Sequence, residues 1–225
     1  MKTSARIITA ALVCCLGARL VSAELPTKLE KPVAPIAADP QLPRLGLIVS
    51  EDFSRSDAVA NWRWGAGKWT VADGVLRGTE TPERKHPAGI ACQRAYHDAE
   101  IQFRFQFAGG TTAFLLLRNK FGNLCRVTIS PSSLTITKDK PNIPANSAEQ
   151  TVVLGKTPLT LKTGEWYSVT TLVRGEEFVA SVLGHATISG RHPAIDVEKT
   201  EIEFLASGDS ILFDDLRATA PLLSR

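Results

Sequence analysis

Between Glu100 and Ser130 apolar and polar positions alternate with a period of two. Ile101, Phe103, Phe105 and Phe107 are interleaved with Gln102, Arg104 and Gln106. Successive side chains of a strand leave opposite faces, so this pattern predicts a strand with one face buried. Two further apolar runs follow, each reached through a Gly-containing turn. With Leu115 and Leu117 inward, Phe114, Leu116 and Arg118 face outward. With Cys125, Val127 and Ile129 inward, Arg126 and Thr128 face outward. The stretch therefore predicts a three-stranded meander.

Short strands are predicted on both sides of it. Before it come Gly46–Phe53, Trp69–Ala72, Val75–Arg77 and Ile90–Arg94. After it come Ser133–Thr137, Thr151–Leu154, Leu159–Lys162, Trp166–Val173, Phe178–Leu183, Thr200–Ala206 and Ser210–Ala218. Asp73-Gly74 between two apolar runs predicts a type I′ hairpin, because both central residues of that turn need positive φ. Residues 77–89 and 139–150 are polar, contain proline and predict long loops. No stretch has a helical period, and many short strands separated by turn signals predict an all-β sandwich or barrel.

The first 44 residues have a different character. Lys2 and Arg6 precede the apolar run Ile7–Leu16, and Val21-Ser22-Ala23 is a small-residue cleavage signal. This is the pattern of an export leader over residues 1–23, with a secreted or periplasmic product and no transmembrane segment in the mature chain. Residues 24–44 carry Pro26, Pro32, Pro35, Pro40 and Pro43 and predict an extended linker to a domain over 45–220. The leader holds three of the 26 Lys and Arg and none of the 23 Asp and Glu, so the remainder balances at 23 of each. That balance removes any charge-based argument for nucleic acid binding. Of the four cysteines, Cys14 and Cys15 leave with the leader. Cys92 and Cys125 remain as the candidate disulfide of an exported chain, although each also sits in an apolar run where a buried thiol is ordinary.

Certain motifs resemble a known group. These are Asp52-Phe53-Ser54, then Gly67-Lys68-Trp69-Thr70-Val71-Ala72-Asp73-Gly74-Val75-Leu76, Leu117-Arg118, Gly164-Glu165-Trp166-Tyr167 and Phe213-Asp214-Asp215-Leu216. Together they resemble the concanavalin A-like (laminin G-like) jelly-roll domains of the 3-keto-disaccharide hydrolase and family 16 glycoside hydrolase-like type. The resemblance implies a β-sandwich jelly roll over roughly residues 46–218. It also implies Ca²⁺ tying the first strand to the last, with Asp52 and Asp214 as candidate ligands. Hard carboxylate oxygens from distant points of a chain suit that ion. Family 16 enzymes carry an E-x-D-x-x-E strand. The corresponding run here, Thr200-Glu201-Ile202-Glu203-Phe204, lacks the central Asp and the final Glu.

The candidate binding face is the polar side of the meander: Gln102, Arg104, Gln106, Phe114, Arg118 and Arg126. Planar polar groups beside an aromatic ring suit the hydroxyls and the ring face of a sugar. The expected function is carbohydrate recognition without catalysis. The alternatives are a glycoside hydrolase and a structural cell-envelope module. An enzyme is expected to place two carboxylates in the same groove as the arginines, with Glu203, Asp209 and Glu100 as candidates.

Overall fold

The computed structural model describes residues 45–144 and 148–221. The expected leader and linker, residues 1–44, lie outside the described residues. The chain folds into fifteen strands: β1 Leu45–Glu51, β2 Arg63–Trp64, β3 Lys68–Ala72, β4 Val75–Thr79, β5 Ala88–Tyr96, β6 Ala99–Phe107, β7 Gly110–Asn119, β8 Gly122–Ser130, β9 Ser133–Lys138, β10 Val152–Pro158, β11 Trp166–Arg174, β12 Glu177–Val182, β13 Ala186–Arg191, β14 Lys199–Gly208 and β15 Ile211–Pro221. Two short 3₁₀ turns, Pro82–Arg84 and Pro193–Ile195, are the only helical pieces among the described residues.

The strands form two antiparallel sheets stacked as a sandwich. Sheet A runs β13-β12-β11-β6-β15-β4-β3, and sheet B runs β10-β9-β8-β7-β14-β5-β2. One edge of β15 is shared: β4 pairs with Ile211–Phe213, and β1 pairs with the stretch from Leu216 to Pro221. Between them β15 bulges at Asp214–Arg217, where Asp215 has φ 50°.

The predicted meander is corrected here. β6 pairs with β11 and β15 in sheet A, whereas β7 pairs with β8 and β14 in sheet B. The short link between β6 and β7 passes from one sheet to the other. The N–H groups of Ala108 and Gly110 both bond the carbonyl of Ser210, at 3.0 and 2.8 Å, and pin that corner to the start of β15. A period of two fixes which side of a strand is buried, but it does not choose the sheet.

The inward faces follow the alternation. Phe103 and Phe213 of sheet A meet Phe204 of sheet B, with ring centroids 5.1 Å (Phe103–Phe204) and 4.4 Å (Phe204–Phe213) apart. Burying one such ring contributes about 1.5–3 kcal/mol. Leu115, Leu117, Cys125, Val127 and Ile129 are buried in the same core. The Asp73-Gly74 hairpin forms as predicted, with φ 54° and 72°. β13 has no counterpart in the sequence-based elements, and Leu159–Lys162 is not a strand.

Candidate functional site

On β14, Ile202, Phe204 and Ala206 point into the core. Alternation therefore turns Glu201, Glu203, Leu205 and Ser207 outward on sheet B. Register then builds the outer face in rows. Gln93, Glu201, Arg118 and Asn123 form one row, on β5, β14, β7 and β8. Arg63, Ala91, Glu203, Leu116, Arg126 and Thr137 form the next. Phe114 lies one row further on, between Leu205 and Thr128.

Two arginines and two glutamates in these rows make one charge cluster. Arg63 donates to Glu201 from Nε at 3.1 Å and from Nη2 at 2.6 Å, and its Nη2 stands 3.4 Å from Glu203. Arg118 Nε is 3.2 Å from Glu201. Arg118 Nη1 donates to Glu203 at 3.1 Å and to Asn123 Oδ1 at 3.0 Å. The Glu203 side chain is 6 % exposed and that of Glu201 13 %. Small neighbours make the close fit possible. A Cβ on Gly89 would stand 2.9 Å from Glu203 Oε1, and Arg63 crosses over Ala91 to reach that carboxylate.

Burial on its own would raise the pKa of Glu201. The Arg63 hydrogen bond and charge, with the Arg118 charge, outweigh burial and hold it below the ordinary carboxylate value. Arg63 is pushed up, chiefly by its hydrogen bond to Glu201. Glu201 is therefore ionised at neutral pH and is no proton donor. The next outward positions along β14 are Leu205 and Ser207, so this face of the strand has no third carboxylate.

The expected face of six residues is divided between the two sheets. Phe114, Arg118 and Arg126 share the outer face of sheet B, as anticipated, with the Arg126 guanidinium 5.8 Å from the Phe114 ring centre. Gln102, Arg104 and Gln106 lie on β6 and face outward from sheet A. There Arg104 stacks on Trp166 at 4.9 Å and meets Asp215 at 3.4 Å. The common trough is corrected accordingly: the sandwich stands between the two groups. Arg63, Gln93, Asn123 and Asp139 were not singled out from the sequence. Arg63 sits in a two-residue strand that has no periodicity to find, and its partner Glu201 is 138 residues away.

The disulfide is corrected too, since Cys92 and Cys125 are both buried free thiols. They lie in one inner row, Cys92–Ile202–Leu117–Cys125, three strand spacings apart. That is about 14 Å, against a Cα separation limit of about 7 Å for a disulfide. Burial raises the pKa of both thiols. As for calcium, Glu51 pairs with Leu216, so the register brings Asp52 to the bulge that holds Asp214 and Asp215. One oxygen of Asp52 accepts from Ser54 N–H at 3.0 Å, and one of Asp214 accepts from Asp215 N–H at 2.8 Å. Among the described residues no three His, Cys, Asp or Glu side chains gather to hold a metal. A calcium cage there would need main-chain oxygens.

No protein-family model matches this chain, and no curated protein matches it. Solved structures do. The carbohydrate-binding module CBM66 from Bacillus subtilis superposes with a TM-score of 0.58 at 11 % identity, over 71 % of this chain and 95 % of its own. Porphyranase B from Zobellia galactanivorans gives 0.60 at 12 % identity, over 84 % and 98 %. A non-specific endo-β-1,3(4)-glucanase of family GH16 gives 0.57 at 11 %, over 82 % and 95 %. At such identities the likeness is one of fold, and a fold does not fix a function. The chain is a concanavalin A-like β-sandwich jelly roll.

Proposed function

We propose that this protein is an exported carbohydrate-recognition module that binds glycans on the outer face of sheet B and does not cleave them. The observation that carries the reading is the Arg63–Glu201–Arg118–Glu203 cluster. Its planar groups are locked in position by one another before any ligand arrives, yet 35 % of Arg63 and 26 % of Arg118 remain exposed. Preorganised polar groups bind hydroxyls without a further ordering cost. Asn123 and Gln93 extend the polar row, and Phe114 supplies a ring on the same face. Similarity to carbohydrate-binding and carbohydrate-cleaving proteins favours the same ligand class.

The electrostatics of Glu201 support the non-catalytic part of the proposal. Glycoside cleavage by a carboxylate pair needs one partner protonated. Glu201 is held ionised by its arginine partners and does not supply that proton. The hydrolase alternative draws on one feature, two carboxylates on a shared strand face. Reducing-end release from a polysaccharide panel, abolished by Glu203→Gln, would establish it in place of simple binding.

A glycan array probed with the exported chain tests the main reading. Wild type is expected to bind, and Arg118→Ala to lose binding at least tenfold. Undiminished binding by Arg118→Ala rejects this face. Calcium at Asp52 and Asp214 belongs to the proposal as a structural ion only. EDTA is then expected to lower Tm and leave the bound glycans unchanged.

A further inference from the structure

Beyond Arg118, the outer face of sheet B opens into a cleft of ≈ 370 Å³ lined by Asn123, Arg126, Asp139, Lys140, Asn142 and Thr151. That volume lies in the range of small-molecule sites, about 300–1,000 Å³. Its side-chain acceptors are all engaged or sealed. Asn123 Oδ1 accepts from Arg118 Nη1 at 3.0 Å, and Asn142 Oδ1 accepts from Asn123 N–H at 2.7 Å. Thr151 Oγ1 accepts from Lys140 N–H at 3.1 Å. Asp139 is 2 % exposed, with Oδ1 on the Thr137 hydroxyl at 2.7 Å. Its Oδ2 faces Arg126 Nη2 at 2.9 Å and is closed off from solvent.

The donors are the reverse case. Arg126 Nε is buried, but the terminal nitrogens Nη1 and Nη2 stay accessible and make no hydrogen bond among the described residues. The amide nitrogens of Asn123 and Asn142 donate to no described atom, since both residues are tied through their Oδ1 atoms. The Lys140 ammonium has no acidic partner among the described residues. Two cations and one carboxylate leave the lining with a net positive charge, and the neighbouring Glu149 is already matched by Lys138.

We infer that this cleft is a subsite for an acidic sugar residue, one whose carboxylate or sulfate ester supplies the acceptors that the free donors lack. The Nη1–Nη2 edge of Arg126 is a planar two-nitrogen donor that fits two oxygens of one anion. Lys140 adds a point charge beside it. An ionised acid only accepts, whereas a sugar hydroxyl carries a proton for which this lining has no open side-chain acceptor. Asn123 bonds both Arg118 and Asn142, so the cleft continues the row that holds the charge cluster. The inference rests on the carbohydrate reading and adds a charge class to it.

The test uses the protein and a glycan array that carries each backbone in neutral, uronate and sulfated form. Lys140→Gln removes the unpaired charge and breaks no side-chain contact among the described residues. Arg126→Lys keeps a charge but loses the two-nitrogen edge. Lys68→Gln removes an equal charge from an exposed site on β3 of sheet A, and Arg118→Ala reports the neighbouring cluster. Urea midpoints identify any variant that fails to fold, and Lys140→Gln decides if Arg126→Lys is lost that way. Wild type is expected to prefer acidic forms at least tenfold. Lys140→Gln and Arg126→Lys should lose at least tenfold on those forms and stay within twofold on neutral ones, with Lys68→Gln unchanged. Uronate and sulfated forms scored separately show which anion the cleft takes. Acidic forms held by both cleft variants within twofold of wild type, or an equal loss in Lys68→Gln, overturn the subsite. So does binding confined to neutral glycans; if Arg118→Ala abolishes that binding, the carbohydrate reading stands without the subsite. No glycan bound by wild type overturns both.

Discussion

Arg104 and Arg118 look alike in the sequence. Each sits outward on a strand whose inward neighbours are large and apolar. Their surroundings differ because their sheets differ. On sheet A, Arg104 has an aromatic ring 4.9 Å away and one carboxylate at 3.4 Å, the long end of hydrogen bonding. On sheet B, Arg118 bridges two glutamates and an asparagine at 3.0–3.2 Å. The difference comes from β14, which inserts between β7 and β5 and carries both glutamates to the same face. The partners of an outward residue are thus set by topology, and its own strand says nothing about them.

The largest expected effect follows from the dense side of this contrast. Arg118→Ala leaves Glu203, nearly buried, with Arg63 at 3.4 Å as its remaining arginine. Removing one member of a buried ion pair costs about 3–5 kcal/mol. Partial exposure of Arg118 and the surviving Arg63 contact bring the expected loss to about 2–3 kcal/mol. Urea denaturation measures it, with a double-mutant cycle to Glu203→Gln for the coupling. A loss below about 0.5 kcal/mol, the level of a surface pair, would remove the distinction between the faces.

Acid titration probes the cluster next. Glu201 is depressed in the folded state, as is Asp98, where burial opposes but the Gly175 N–H and His97 prevail. Unfolded carboxyls titrate near about 3.9–4.3. The stabilising contribution of a depressed carboxyl is complete above that value and is lost as pH falls through its folded pKa. Unfolding free energy is therefore expected to hold steady from neutral pH down to about pH 5 and to decline below about pH 4. Arg63→Ala should flatten the decline, since Arg63 is the chief cause of the Glu201 depression. An unchanged slope would show that Arg63 does not hold that carboxylate.

The sequence made much of the fold legible and less of the site. Alternation identified the buried faces of β6, β7 and β8, and the Asp73-Gly74 turn was placed correctly because its φ requirement is local. β13 escaped because ATISGR has few large apolar residues, and its burial alternates only between partial and exposed. The partition between sheets escaped because it depends on Ser210, a hundred residues beyond the corner it pins. Phe114, Arg118 and Arg126 were grouped correctly, since β7 and β8 form a hairpin. Arg63 and Gln93 join them through strands far away in the chain, and local periodicity contains no such pairing.

A smaller effect is expected on the sparse side. Arg104→Ala removes one ion pair at 3.4 Å and one cation–π contact from a partly exposed face. Each is worth about 0.5–1 kcal/mol at such sites. A loss of about 1 kcal/mol in urea is expected, with glycan binding within twofold of wild type. Loss of glycan binding in this variant would move the recognition face to sheet A.

The smallest expected effect is zero, and it tests the register beneath the whole comparison. The outer row Gln93–Glu201–Arg118–Asn123 and the inner row Cys92–Ile202–Leu117–Cys125 run over the same four strands, one position apart on β5, β14 and β7. A register that sets Glu201 beside Arg118 also holds the two sulfurs three strands apart. A slip by one residue would send every side chain of a strand to the opposite face and dismantle both rows together. Oxidised and reduced samples of the protein are thus expected to melt at the same temperature. Both thiols should react with a maleimide only after denaturation, because they are buried and their pKa values are raised. A Tm that falls on adding reductant, with one cross-linked peptide joining Cys92 to Cys125, would require β14 and β7 not to lie between them, and the glutamates would then lose their arginines.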